Sequence, residues 1–228
     1  MPRRLLAVAA AGALALTGLA GCRQAPAMAA YVGTAQLTNA DVERMVDEFP
    51  ATDRAGNTGG IRQGVVSAFV LNELSRRIAG DHGITVPAAN TAQVATIAGS
   101  MKVATDARVA TLRTDELTAL RAIVQLGSPQ VPTEADKQEV FQYLVRDQQV
   151  GPDQYNDIKD RIDSTDMRQM LGLRAVMRDA IHRYQLSVNP RYQPLGFQLP
   201  FTLANGSVQT FVLLSLEPGA PAAVTDTE

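Results

Sequence analysis

Residues 61–83 read IRQGVVSAFVLNELSRRIAGDHG. Ile61, Val65, Phe69, the run Leu71 to Leu74 and then Ile78 recur at three- and four-residue spacing, the period of one helix face. Glu73, Arg76 and Arg77 fall off that face. Gly80 and Gly83 supply a C-terminal stop. This is the strongest helical signal in the chain, and it predicts a mainly α protein. The composition agrees. Aromatic residues make up 5% of the chain and tryptophan is absent, so a core of Ala, Leu, Val and Met is expected.

Upstream, "AYVGTAQL" alternates around a glycine and predicts two short strands. Thr38 or Asn39 then caps a helix whose apolar stripe is Val42, Met45, Val46 and Phe49, with Asp41 and Glu43 in its first turn. Pro50 ends it, and 51–60 reads as a flexible loop. Downstream, "ITVP" is extended, because a residue before proline avoids the helical region. A weaker helix is expected over 88–107 and another over 115–126. "Pro-Thr-Glu" at 132–134 restarts helix, with Thr133 as cap. Further helices carry Tyr155, Ile158 and Ile162, and then Met167, Met170, Leu171, Leu173, Val176, Met177, Ile181 and Tyr184, with Ser164 as cap. After Gln185 the pattern turns to β, with a hairpin expected around Asn205-Gly206.

The chain begins with Arg3 and Arg4 and an apolar run from Leu5 to Ala20, the length of a signal-peptide core and short of the roughly 20 residues that span a bilayer. Leu19-Ala20-Gly21-Cys22 follows, and it resembles the bacterial lipobox. The resemblance implies cleavage before Cys22, diacylglyceryl attachment to its sulfur, and anchoring to membrane lipid on the outer, extracytoplasmic face of the cell membrane. An ordinary secretory peptide, cut later near Met28-Ala29-Ala30, is the alternative. Cys22 is the only cysteine, so no intramolecular disulfide or cysteine-based zinc site can form.

Removing Arg3 and Arg4 takes the basic residues from 21 to 19, against 23 acidic ones, a net charge of −4. That mild acidity argues against nucleic acid and against a polybasic membrane patch. No GxSxG, HExxH, P-loop or GxGxxG pattern occurs. Asp81-His82-Gly83 reads as a helix end rather than a catalytic pair. Asp157, Asp160 and Asp163 share a helix face that is expected to be solvated. The segment from Asp147 to Asp153 lacks the regular oxygen ligands of a calcium loop. No catalytic residue, metal or small-molecule cofactor is expected.

"AAYVGTAQLTNADVERMVDEF", "FVLNELSRRIAGDHGITVPAANTAQV", "VPTEADKQEVFQYL" and "VNPRYQPLGF" together, in this order, resemble the N-terminal chaperone domain of SurA-type proteins in an actinobacterial lipoprotein form. The likeness covers most of 29–197. It implies a SurA N-terminal-like helical domain with short N-terminal strands and a small C-terminal β-hairpin. Many relatives carry parvulin-type prolyl isomerase domains, and this chain has no room for one, so isomerase activity is not implied. Gln193 stands where relatives have glycine.

The expected organisation is a signal peptide over 1–21, a tether over 22–28, the helical domain over 29–192, a hairpin appendage over 193–217 and a disordered tail over 218–228. The expected function is chaperone-like binding of unfolded or exported polypeptides, with no enzymatic activity. The alternative is an accessory subunit docking one envelope complex. The methionines of the last helix face either the core or an open groove. In the second case Met167, Met170 and Met177, with Phe69 and Tyr184, would contact clients.

Overall fold

A computed structural model of the chain describes residues 27–146, 149–202 and 208–216. The lipobox, the Asn205-Gly206 turn and the tail lie outside the described residues. The fold is mainly helical, with eight helices among those residues.

Strands β1 (Met28–Val32) and β2 (Ala35–Thr38) pair antiparallel around Gly33, whose φ of +58° suits the residue without a side chain. A third strand, β3 (Ser187–Val188), adds to the other edge of β1 and gives the order β2-β1-β3. The first described strand and the segment after the last helix therefore close one sheet. Helix α1 (Asn39–Asp47) begins with a reciprocal cap between Thr38 and Asp41 and buries Val42, Met45 and Val46.

Residues 51–60, expected as loop, hold a helical turn, α2 (Ala51–Arg54), and the start of α3 (Thr58–Asp81). An Arg54–Asp47 ion pair at 2.5 Å ties α2 back to α1, a contact that local sequence does not disclose. Helix α3 is the spine, packing on α1, α5, α8, β1 and β4. Its buried positions include Val65, Val66, Val70, Leu71, Leu74 and Ile78. It stops as the glycines suggest. Gly83 takes φ +67°, its N–H donates to Gly80 O, and Ile84 N–H donates to Ala79 O at 2.8 Å.

The next two helices depart from expectation. Helix α4 (Thr91–Met101) ends early, at Lys102 with φ +55°, and α5 (Arg108–Ile123) starts seven residues before the expected 115. Glu48, at the end of α1, explains the early start. Its carboxylate accepts from the backbone N–H groups of Arg108 at 3.1 Å and Val109 at 2.8 Å. It caps α5 from sixty positions away, and a local reading cannot see such a cap.

Helices α6 (Glu134–Arg146), α7 (Tyr155–Ile162) and α8 (Thr165–Arg183) fall where their patterns place them, with Ser164 capping α8. Arg174 of α8 is 3% exposed and donates twice to Glu139 of α6, at 2.7 and 3.0 Å. The turn after α5 crosses α8 at Gly127 and Gly172, close enough that a Cβ on either would overlap the other segment's backbone. Strands β4 (Leu195–Thr202) and β5 (Val208–Leu216) form the expected hairpin. It is no detached appendage at its base, because Leu195 and Phe197 are buried in the core and β4 packs on α3 and α8.

Candidate functional site

The five candidate client residues do not form one surface. Met167 and Met177 are fully buried and Met170 is 7% exposed. All three sit in the core and none lines the recess between α3, α5 and β4, so these methionines are core, and the open-groove alternative is corrected. Helix α3 and strands β4 and β5 pack on α8. Phe69 is half-buried against the core. The Tyr184 ring lies under Arg77, 5.1 Å from the guanidinium carbon, and its hydroxyl donates to Asp81 Oδ1 at 2.6 Å. Arg183 donates to Asp81 Oδ2 at 2.6 Å. The Tyr184 hydroxyl first, and then Arg183, hold the Asp81 carboxyl below its usual range. Asp81 therefore staples α3 to α8, and its neighbour His82 is exposed.

Asp157 and Asp160 are exposed, and Asp163 pairs with Arg168 at 2.6 Å. Among the described residues no three His, Cys, Asp or Glu side chains come together as a metal-binding group. Among the same residues no helix is long and apolar enough to cross a membrane.

The structure instead opens a cleft of about 520 Å3 between α3, the end of α4, α5 and the start of β4. Its size falls within the roughly 300–1,000 Å3 of ordinary ligand sites. Val65, Ala68 and Leu71 of α3, Val109 of α5 and Phe197 of β4 give it an apolar lining, with Phe49 and Met101 at its sides. Pro194, after a cis Gln193–Pro194 peptide, and Gly196 complete one wall. Gln63 donates to Gln193 O at 3.5 Å and holds that wall to α3.

Glu116 also lines the cleft, and it is only 3% exposed. Its partner is Arg113, one turn earlier on α5, whose side chain is 46% exposed. A single Arg113 nitrogen, Nη1, donates to Glu116 Oε1 at 2.6 Å and also to Oε2. Burial pushes the Glu116 carboxyl above its ordinary range, against the lowering effect of Arg113.

A folded-state pKa raised in this way makes the proton, not the charge, the favoured state of the fold. The resulting stability is full below the unfolded value of about 4.3 and is lost as pH rises through the folded value. At neutral pH the ionised Glu116 is therefore a net cost to folding. Glu116→Gln is expected to leave stability unchanged or raise it by about 1 kcal/mol at pH 7. That advantage should shrink on acidification toward pH 4. Thermal melts at the two pH values check this, and a loss of stability at pH 7 would contradict it.

Sequence reading missed this site. The signal was present, because Val109, Glu116, Leu120 and Ile123 fall at i, i+7, i+11 and i+14, on one helical stripe. A carboxylate inside an apolar stripe is more informative than any apolar member of it. The cleft's β4 wall comes from far along the chain and left no local mark.

No family model, curated protein or solved structure matches this chain.

Proposed function

We propose that the chain is a lipid-anchored extracytoplasmic protein that binds apolar stretches of unfolded or exported polypeptides in the α3–α5–β4 cleft. The observation that carries this reading is the cleft, an open recess in the helical core whose apolar lining is interleaved with polar side chains. Binding energy comes from burying client apolar area at about 25 cal/mol per Å2, less the cost of ordering the segment. Single segments therefore bind weakly, as a protein that must release its clients requires.

The lipobox-like Cys22 supports the anchor. Five residue-to-residue steps separate Cys22 from Ala27, where the described chain begins, and they reach at most about 18 Å. Asn189 Nδ2 donates to Met28 O at 3.0 Å, and the turn that follows Asn189 leads into Gln193 and Pro194 at the cleft wall. The anchor would thus hold the cleft near the membrane surface. Intact-mass measurement of membrane-extracted protein tests it, and an N-terminal residue without lipid mass would remove it.

The binding reading predicts that the purified full-length chain, at stoichiometric amounts, slows aggregation of a chemically unfolded reporter. No slowing would sink it. A single stoichiometric partner recovered from detergent extract, without unfolded clients, would favour an accessory subunit instead.

A further inference from the structure

We propose that Glu116 makes the cleft selective for polypeptide segments that carry a lysine or arginine among apolar residues, the basic group sharing the buried carboxylate with Arg113. This inference rests on the polypeptide-binding reading and adds a chemical preference to it.

Three observations lead to it. First, the fold makes no use of the Arg113–Glu116 pair. Other ion pairs join separate elements: Arg62 to Glu43 ties α3 to α1, Arg174 to Glu139 ties α8 to α6, and Arg183 to Asp81 joins α8 to α3. Arg113 and Glu116 sit three residues apart on one helix and join nothing. The Arg44–Asp41 pair is also local, but its arginine is 65% exposed and its acid caps α1. Among the described residues, the pair in the cleft alone combines a local partner with a carboxylate withdrawn from water.

Second, that carboxylate is half used. An ionised carboxylate offers about four acceptor positions, and one guanidinium nitrogen fills two of them. The acceptor positions left over, one on each oxygen, belong to a group that lines the cleft. Among the described residues Arg113 and Glu116 are its only charged lining residues, and none of the others adds a second cation to the site.

Third, the molecule already contains the completed arrangement elsewhere. Glu43 accepts from Arg62 Nε at 2.8 Å and Nη2 at 2.7 Å, and also from Arg191 Nη2 at 3.4 Å. Two cations share one carboxylate there without displacing each other. A client's basic group would give Glu116 a second cation in the same way, while its apolar neighbours cover the partly exposed Phe49 and Met101.

The test uses the purified full-length chain and two short fluorescein-labelled peptides of alternating leucine and serine. One has a central lysine and the other a central norleucine, which keeps the alkyl stem and removes the charge. Fluorescence anisotropy should show the lysine peptide binding about tenfold tighter, with the difference shrinking as salt rises. Glu116→Gln, its fold verified by thermal melting, should remove the preference, so that the lysine and norleucine peptides bind that variant with the same affinity. Equal affinity in the unsubstituted protein would overturn the selectivity while leaving polypeptide binding in place. A lysine preference that survives Glu116→Gln would overturn the assignment to Glu116. If neither peptide binds, the polypeptide reading fails and this inference fails with it.

Discussion

Gly172→Ala is expected to lower stability by about 3 kcal/mol, and so the melting temperature by roughly 6–12 °C for a chain of this size. The cause is the crossing of the post-α5 turn over α8. A Cβ at Gly172 would overlap the carbonyl oxygen of Ser128, and one at Gly127 would stand 2.8 Å from Gly172 O as well as overlapping its carbonyl carbon. Backbone cannot give way as a flexible side chain can. The crossing is also clamped. Gln169 Nε2 donates to Val124 O at 2.9 Å and Gly127 O at 2.8 Å, and Gln130 N donates to Arg168 O at 2.9 Å. Relief of the overlap would break these bonds. Gly99→Ala is the control, because a Cβ at that helical position in α4 meets nothing within 4 Å. It should be neutral or stabilise by up to about 1 kcal/mol. Equal melting temperatures for the two variants would contradict the close crossing.

Leu74→Ala is expected to cost about 3–4 kcal/mol. Leu74 is fully buried on α3 and is among the largest side chains with no exposed surface. Helix α3 meets α1, α5, α8 and the sheet, so the space left by the side chain is walled on several sides and cannot easily collapse. Leu74→Met conserves volume and should cost less than about 1.5 kcal/mol. Urea titration with an unchanged m-value checks both. A loss under about 1 kcal/mol for Leu74→Ala would show that α3 is not the packed spine described here.

The helices were legible wherever local chemistry sets them. Residues 61–83 carry both the apolar period and the glycine stop, and the structure realises both. Thr38, Thr133 and Ser164 cap the helices that their positions predict, because a cap is decided within three or four residues. Asn205-Gly206 separates two strands that do pair.

The failures share a different cause, which is long range. Glu48 starts α5 from another helix. Asp47 holds α2 through Arg54, and β3 forms only because β1 is beside it. The methionine stripe of α8 reads alike whether it faces a core or a groove, so only the packing of α3, β4 and β5 around it could decide. The cleft was illegible for the same reason. Its lining draws on residues from Phe49 to Phe197, and its most informative member, Glu116, stood out only as a charge in an apolar stripe.

If the α3–α5–β4 cleft receives polypeptide, a probe at its side must meet the bound segment. The most direct measurement is site-specific photocrosslinking of the full-length chain, with p-benzoylphenylalanine in place of Met101 at the cleft side or Gln142 on exposed α6. In the presence of an unfolded reporter, the probe at position 101 should give a strong adduct that an unlabelled apolar peptide competes away, and the probe at 142 should give little. Equal adducts from the two positions, or an adduct at 101 that the peptide leaves unchanged, would contradict the account.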